Sequence, residues 1–390
     1  MHVFFSVGEP SGDQHAAHLI RELQRRRPGI RVSGYGGPLM EQAGCTTLYQ
    51  LTNLAVMGIW RVIPLLLTFY RLVQQARQFF ETERLDAVEL IDYPGFNWWI
   101  ARKAKAAGIP VFYYLPPQLW AWGPWRIRKV RKFVDHVLCG LPFEFDWYAK
   151  RGISAEYVGH PFFDEVADAP LDREFCEQWR SPGEHGPRTI GILPGSRNHE
   201  VHRNWPMMLE IMQTLHRRHP QARFLVANYK ESHRAFCESE AREFQEDLPI
   251  HYFVGKTPEI IATAECCAMV SGSVSLEMLA RGTPAIVMYR AGWLTYPPMR
   301  ALVRLGSVTL PNLIAGRVVL PEWMVVYFPR RDIRAMTATL DRWLSDRVAL
   351  AESRADLVAL RDEIAKTGAT PRAAEAILTR LAPQQRRVAA

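Results

Sequence analysis

A carboxylate at the end of an apolar run is the main candidate for acid–base chemistry in this sequence. Asp92 follows the run Ala87–Ile91 and opens the segment Asp92–Asn97. In open α/β sheets, ligands bind at the carboxyl ends of the strands. A carboxylate there can take a proton from an attacking hydroxyl, which typically contributes ~10² to 10⁴ in rate. An aspartate in this position is also typical of a helix cap or a turn, and the spacing alone favours that structural role.

An arginine among small residues, after a later strand-like run, indicates phosphate binding. Gly195, Ser196 and Arg197 follow the run Thr189–Leu193 and precede a helical pattern. Backbone and hydroxyl groups can donate to phosphate oxygens, and the guanidinium offers them a planar fork. The alternative is a surface arginine after a turn, which this pattern favours less.

A second loop of small residues has the same strand–loop–helix setting. Gly272 and Ser273 follow the run Ala268–Ser271, and Glu277 lies about one turn into the next helical pattern. The loop can cradle a diphosphate at a helix start, and the carboxylate can accept from ribose hydroxyls. Two such helix starts in one domain are more informative than either loop alone.

A glycine-containing turn follows the first strand-like run of the chain, Val3–Val7. The turn is Gly8–Asp13, in which Ser11 and Gln14 fit a capping box. Gly12 allows a ligand to approach the backbone, although an ordinary tight turn between strand and helix fits equally well. The turn lacks the GxGxxG fingerprint, so a nicotinamide cofactor is disfavoured.

Two segments have compositions typical of more than one role. The basic run Arg126–Lys132 follows the tryptophan-rich segment Trp120–Trp125, and a solvated helix face next to buried aromatics is the favoured interpretation. Contact with anionic lipid headgroups, or with a nucleic-acid strand, is the alternative, and no nucleic-acid-binding signature supports the latter. The apolar segment Ile59–Arg71 is either core or an exposed ledge for acyl chains or a membrane.

The elements that must position these residues alternate between short apolar runs and helical patterns. This order predicts an α/β protein with parallel, doubly wound sheets. A Pro- and Gly-rich stretch divides the chain, which predicts an N-terminal domain over 1–168, a linker over 169–188, a C-terminal domain over 189–365 and a helical tail over 366–390. Further strands are expected at Arg31–Tyr35, Pro110–Leu115, His136–Cys139, Glu156–Val158, Arg223–Val226, His251–Val254 and Ala285–Tyr289.

Composition and charge narrow the protein class without selecting a ligand. The 390 residues are 48% hydrophobic and 23% charged, which excludes disordered and fibrous classes. A net charge of +8 favours anionic partners. The six cysteines form no CxxC pair, no HExxH or DxD motif occurs, and the start of the chain lacks a signal-peptide pattern. We therefore expect a cytoplasmic protein without a metal site or cofactor.

Seven segments, taken in order, resemble the lipid-A-disaccharide synthase family. Any one of them is a weak match, but seven in this order and spacing are highly specific. Coverage runs from about residue 3 to residue 325. The matching segments are Gly8–Asp13, Gly36–Met40, Leu54–Ile59, Asp92–Asn97, Trp120–Trp122, Leu193–Arg197 and Leu310–Arg317.

The resemblance implies a GT-B glycosyltransferase with two Rossmann-like doubly wound domains and an interdomain cleft. It implies inverting transfer from UDP-2,3-diacylglucosamine to 2,3-diacylglucosamine 1-phosphate, giving the β-1,6 lipid A disaccharide 1-phosphate and UDP. It places Asp92 and Arg197 in catalysis and Glu277 and Asn312 at the donor. With these residues, the resemblance assigns Gly195, Ser196, Gly272 and Ser273 to donor binding and Gly8, Ser11, Gly12 and Asp13 to the acceptor side.

The resemblance also implies a cytoplasmic enzyme that associates peripherally with the inner membrane, does not bind nucleic acid, and is a homodimer in some members. This chain departs from the family's usual residues at Pro116–Leu119, at Ser273 and at Trp60–Pro64. The first and last changes leave acyl-chain preference and the exact acceptor open. The alternatives are another GT-B enzyme of UDP-sugars, either an N-acetylglucosaminyltransferase or a 2-epimerase, and a non-catalytic membrane-surface protein.

Overall fold

The computed structural model divides the chain into two compact units. It describes residues 1–54, 65–121, 123–181, 186–242, 248–290, 307–326, 329–365 and 367–382. The first unit comprises Met1–Asp164 and the C-terminal helix Ala369–Leu381, and the second unit comprises Glu165–Ala365. Residues 169–188, expected as a linker, include the helix Arg173–Trp179 and group with the second unit.

Each unit is built on one parallel sheet. The strands of the first unit are β1 (His2–Val7), β2 (Arg31–Gly36), β3 (Thr46–Gln50), β4 (Ala87–Ile91), β5 (Val111–Tyr114), β6 (His136–Cys139) and β7 (Ala155–Tyr157). They lie in the order β3-β2-β1-β4-β5-β6-β7, and every pairing is parallel. The chain therefore returns to the middle of the sheet between β3 and β4, which is the doubly wound arrangement.

Over its described residues, the second unit repeats this arrangement with six strands. They are β8 (Arg188–Leu193), β9 (Ala222–Asn228), β10 (Ile250–Val254), β11 (Cys266–Val270), β12 (Ala285–Arg290) and β13 (Glu322–Val325), in the order β10-β9-β8-β11-β12-β13. All pairings are again parallel. The two central strands, β8 and β11, are buried along their whole length. This burial explains why their sequences are largely apolar.

The helices cover both sheets and are numbered in chain order over the described residues. In the first unit they are α1 (Pro10–Arg26), α2 (Pro38–Gln42), α3 (Leu66–Thr82), α4 (Pro94–Ala106), α5 (Ile127–Phe133) and α6 (Pro142–Ala149), with short 3₁₀ turns at Leu51–Leu54 and Pro124–Arg126. Helix α7 (Pro161–Asp168) begins in the first unit and ends in the second. The second unit has α8 (Arg173–Trp179), α9 (Asn198–Arg218), α10 (Glu231–Arg242), α11 (Thr257–Thr263), α12 (Val274–Arg281), α13 (Leu310–Ala315), α14 (Pro329–Ser345) and α15 (Arg347–Ile364). The last helix, α16 (Ala369–Leu381), packs against α1.

The parallel topology determines where a ligand can bind. Because all strands of a sheet point the same way, the loops that follow them meet at one edge. The segments that begin at Gly8 and Asp92 lie at that edge of the first sheet, and those that begin at Gly195 and Ser271 lie at that edge of the second. Among the described helices, none is long and apolar enough to cross a bilayer.

Candidate active site

Asp92 lies in a strained turn between β4 and α4. Asp92 and Tyr93 both adopt left-handed backbone conformations, with φ of 47° and 44°, which non-glycine residues rarely occupy. Pro94 then begins α4. Since this strain costs of order 1–3 kcal/mol for each residue, it persists only where the surroundings hold it.

The side chain of Asn97 holds this turn in place. Its Nδ2 donates to the carbonyls of Asp92, Ser6 and Ile91 at 2.8, 3.1 and 3.2 Å, and its Oδ1 accepts from the Ser6 hydroxyl at 2.7 Å. The Tyr113 hydroxyl also donates to the Asp92 carbonyl, at 2.7 Å. The Asp92 carbonyl is thus held by one side chain from α4 and one from β5.

The protein around Asp92 makes its carboxylate a stronger base. Desolvation by burial is the main cause that raises the pKa of Asp92 to about 6, while the charge of His15 opposes the rise and that of Glu9 adds to it. The position that a Cβ on Gly12 would occupy is 3.6 Å from the Asp92 Oδ2. A general base is most effective when its pKa lies near the working pH, and Asp92 meets that condition while part of its surface stays exposed.

The glycine turn after β1 packs directly against the Asp92 turn. A side chain at Gly8 would overlap the ring of Tyr93, so the close approach requires glycine there. Gly12 is buried and Ser11 is exposed. The predicted capping box of Ser11 and Gln14 is wrong: the residue at the N-cap of α1 is Glu9, and Ser11 already lies within the first turn.

Asp13 is occupied with backbone groups. Its carboxylate accepts from the N–H groups of Gly37, Leu39 and Met40 at 2.9, 3.0 and 3.1 Å. These are the free N–H groups at the start of α2, which an anion stabilises. Asp13 of α1 therefore connects this helix to the start of α2.

The loop after β8 presents backbone N–H groups that already hold a carboxylate. Gly195 has a φ of 122°, and the Glu200 Oε2 accepts from the N–H groups of Ser196 and Arg197, both at 3.1 Å. The Arg197 Nη1 donates to the Glu200 Oε1 at 2.7 Å, and 53% of the Arg197 side chain is exposed. The loop is thus an anion-binding turn, completed here by Glu200 of its own helix.

The loop after β11 is exposed at Gly272 and Ser273. No atom of the described residues lies within 4 Å of the position that a Cβ on Gly272 would occupy. Glu277 is only 8% exposed and accepts from the Arg281 Nε at 3.0 Å. Burial raises the pKa of Glu277, while Arg281 opposes the rise.

Asn312 shapes the loop before β13. Its Oδ1 accepts from the N–H groups of Val319 and Leu320, both at 2.8 Å, and its Nδ2 donates to the Leu320 carbonyl at 2.8 Å. Asn312 is buried and its side-chain amide is engaged with this backbone. Asn312 therefore holds the backbone of Val319 and Leu320 in the second unit.

The sequence did not single out every polar residue at the edge of the first sheet. Glu144 of α6 is buried, accepts from the Trp120 Nε1 at 3.1 Å, and has a pKa that burial raises to about 8. Burial lowers the pKa of His160, after β7, to about 3, and its Nδ1 accepts from the Phe162 N–H at 3.2 Å. Among the described residues, no group of three or more His, Cys, Asp or Glu side chains could hold a metal ion.

The fold is of the GT-B type, with two parallel, doubly wound sheets. A UDP-GlcNAc 2-epimerase from Neisseria meningitidis, solved with UDP-GlcNAc bound, matches 97% of this chain and 100% of its own with a TM-score of 0.64 and 12% identity. MurG from Acinetobacter baumannii matches 97% and 99% of the two chains with a TM-score of 0.61 and 13% identity. At such low identities these similarities establish the fold alone.

Sequence comparison establishes the family. The family model described as lipid-A-disaccharide synthetase matches residues 3–332. The lipid-A-disaccharide synthase of Anaeromyxobacter dehalogenans (strain 2CP-1) is 35% identical over 379 residues, which is 96% of each chain. That of Myxococcus xanthus is 33% identical over 377 residues, or 97% of each chain. The chain belongs to the lipid-A-disaccharide synthetase family.

Proposed function

We propose that this protein is an inverting lipid A disaccharide synthase. It joins UDP-2,3-diacylglucosamine to 2,3-diacylglucosamine 1-phosphate, giving the β-1,6-linked disaccharide 1-phosphate and UDP. The observation that carries the proposal is the family match over residues 3–332 together with a carboxylate, Asp92, whose pKa of about 6 suits a general base.

In the proposed reaction the first unit supplies the base. The 6-hydroxyl oxygen of the acceptor attacks the anomeric carbon of the donor, the bond from that carbon to the UDP oxygen breaks, and the proton passes to the Asp92 carboxylate. Above pH 6 Asp92 is mostly ionised and can accept this proton. Asn97 and Tyr113 hold the turn so that no reorganisation is needed when the acceptor binds.

The second unit holds the leaving group. As the bond breaks, negative charge develops on the diphosphate of UDP. The backbone N–H groups of Ser196 and Arg197, the Arg197 guanidinium and the open loop at Gly272–Ser273 can stabilise it without a metal. The diphosphate displaces the Glu200 carboxylate from these N–H groups, so Glu200 keeps the loop formed until UDP arrives.

An apolar surface on the first unit suits the acyl chains of the substrates. A cavity of about 350 Å³ lies between α3 and α4. Leu66, Leu67 and Trp99, at or beside it, are 55%, 71% and 53% exposed, and Arg102 lines its rim. Apolar side chains beside basic ones are typical of proteins that rest on an anionic membrane surface. We therefore propose that the enzyme associates peripherally with the cytoplasmic face of the inner membrane.

The decisive assay is UDP release from purified diacylated donor, with and without the diacylated acceptor. The proposal predicts release that depends on the acceptor and a product with the mass of the disaccharide 1-phosphate. Turnover of non-acylated UDP-N-acetylglucosamine would instead favour the 2-epimerase or N-acetylglucosaminyltransferase alternative. Liposome binding without UDP release would favour the alternative of a non-catalytic membrane-surface protein. Sedimentation of the purified chain tests the homodimer that the resemblance implies.

A further inference from the structure

A cavity in the second unit lies at the amino ends of the strands, away from the loops that the proposed function uses. Its volume is about 560 Å³, and its walls come from the segment after α8, the end of α11, the segment before β11 and the first two turns of α15. Glu265 of this lining immediately precedes β11. Because β11 has five residues, roughly 16 Å separates the cavity from the loop at Gly272. A ligand in this cavity would therefore not contact that loop.

The carboxylate that lines the cavity belongs to a buried ion pair. Glu265 is 8% exposed and Arg188, the first residue of β8, is 6% exposed. The Arg188 Nε donates to the Glu265 Oε1 at 2.6 Å, and the Arg188 Nη2 lies 2.5 Å from the Glu265 Oε2. This two-point contact is the strong form of an arginine–carboxylate pair. The negative charge of Glu265 is thus already balanced by Arg188.

Three further arginines line the cavity: Arg180, Arg347 and Arg354. The Arg347 Nη1 lies 3.2 Å from the Glu265 Oε2, the oxygen that Arg188 already contacts. The Arg354 Nη2 donates to a neutral acceptor, the Glu265 carbonyl, at 3.3 Å. Within the described parts of the chain, no carboxylate pairs with the guanidinium of Arg180 or of Arg354. Four guanidinium groups therefore share one carboxylate.

The neighbouring acidic residue does not supply the missing negative charge inside the cavity. Asp346 precedes α15, but its carboxylate accepts from two backbone N–H groups at the start of that helix, at 2.9 and 3.1 Å. Among the described residues that line the cavity, Glu265 is the one acid. Like charges around one cavity repel each other, and an anion placed between them offsets this repulsion. The cavity therefore favours an anionic ligand.

The rest of the lining indicates the size and chemistry of that ligand. The other lining side chains are small or aliphatic and include no aromatic ring among the described residues: Ser181, Ala262, Thr263, Ala264, Leu350 and Ala351. The volume is within the range of roughly 300–1,000 Å³ that is typical of small-molecule sites. Guanidinium groups pair with phosphate oxygens through two parallel hydrogen bonds. Phosphate groups, rather than a stacked base, would thus provide the recognition.

We propose that this cavity binds a small molecule with two or more phosphate groups, held by Arg180, Arg347 and Arg354. Several phosphate oxygens can pair with the three guanidinium groups at once. Arg188 and Glu265 form the buried support of the site and do not bind the ligand. The inference does not depend on the proposed function, because the cavity and the donor loops lie at opposite edges of the second sheet.

Inorganic pyrophosphate is the probe, and calorimetry measures its binding. The titrations use the variant Arg197→Ala, which weakens the proposed diphosphate site at the other edge of the sheet. This background should bind one pyrophosphate per chain. Adding Arg180→Gln or Arg354→Gln should weaken that binding by roughly 10- to 100-fold, because each substitution removes hydrogen bonds to a charged group. The matched control is Arg342→Gln, an exposed arginine of α14 outside the cavity, and it should leave the affinity unchanged.

Three results would overturn the inference. They are the absence of pyrophosphate binding in the Arg197→Ala background, an affinity that neither cavity variant changes, and equal losses in the cavity variants and in Arg342→Gln. Loss of binding to phosphatidylglycerol vesicles without a change in pyrophosphate affinity would also overturn it, because a lipid surface would then be the partner.

Two controls keep this test separate from folding and from the proposed function. Thermal melting checks each variant, and the exposed Arg180 has no side-chain hydrogen bond with the described residues to lose on substitution. In the otherwise wild-type chain, Arg180→Gln should release UDP from the diacylated donor at the wild-type rate. Absence of UDP release by wild type would refute the proposed function and leave the pyrophosphate result standing.

Discussion

Replacing Asp92 by asparagine should remove activity and increase stability at the same time. The pKa of Asp92 rises from 3.8 to about 6 on folding, chiefly because burial disfavours the ionised carboxylate. An acid whose pKa is raised on folding destabilises the folded protein at pH values above that pKa, and the cost disappears below the unfolded value. The proposed role of Asp92 as a base therefore has a cost in stability.

The size of this effect follows from the pKa values. A rise from 3.8 to about 6 corresponds to at most about 3 kcal/mol at pH 8. Since Asp92 is partly exposed, we expect Asp92→Asn to gain about 1–2 kcal/mol in the free energy of unfolding at pH 8. The gain should vanish below about pH 4. Turnover should fall at least ~100-fold because the base is lost.

Two measurements check the prediction. Urea denaturation of wild type and Asp92→Asn at pH 8 and pH 4 gives the pH-dependent difference, and UDP release gives the turnover. In wild type, kcat/KM should also fall about tenfold for each pH unit below 6. Near-normal turnover of Asp92→Asn, or a variant that is less stable than wild type at pH 8, would refute the reasoning.

Three further substitutions test the surroundings of the two sheet edges. Asn97→Ala removes one donor from the carbonyls of Ser6, Ile91 and Asp92, of which Asp92 keeps the Tyr113 hydroxyl. It should therefore cost about 1–3 kcal/mol of stability by urea denaturation and lower kcat; an unchanged kcat would contradict the positioning role. Gly8→Ala forces the Tyr93 ring away and should cost about 1–3 kcal/mol, with a loss of kcat rather than of UDP affinity in calorimetry. Arg197→Ala should weaken UDP binding roughly 10- to 100-fold in calorimetry, yet change stability by less than about 1 kcal/mol because 53% of the Arg197 side chain is exposed and Glu200 keeps its two backbone N–H donors. UDP affinity equal to that of wild type would remove Arg197 from the donor site.

The central strands could be predicted from the sequence because burial on both faces makes them continuous apolar runs. The predicted strand Ala87–Ile91 matches β4, and Thr189–Leu193 falls within β8. The edge strands β3 and β13 escaped prediction. Their residues are mostly half-buried and include Thr46, Gln50 and Glu322, so neither an apolar run nor a clear alternation identifies them.

Residues of the candidate site could be predicted where one short segment contains both the apolar strand and the polar residue that follows it. Asp92 follows an apolar strand directly and Arg197 follows another after a three-residue loop, and the structure places both at carboxyl edges. The residues that hold them were not predictable, because their contacts join distant segments. Asn97 binds Ser6, 91 residues away, and Tyr113 reaches the Asp92 carbonyl from the next strand. Only the completed sheet brings these groups together.

The anomeric configuration of the disaccharide tests the central claim most directly. Proton NMR of the product formed from the α-linked UDP donor reports whether a single displacement has occurred. The proposed direct displacement of UDP, with Asp92 as the base, predicts a β-linked product, formed by wild type and lost in Asp92→Asn. An α-linked product would indicate two successive displacements and would contradict the assignment of Asp92 as the base.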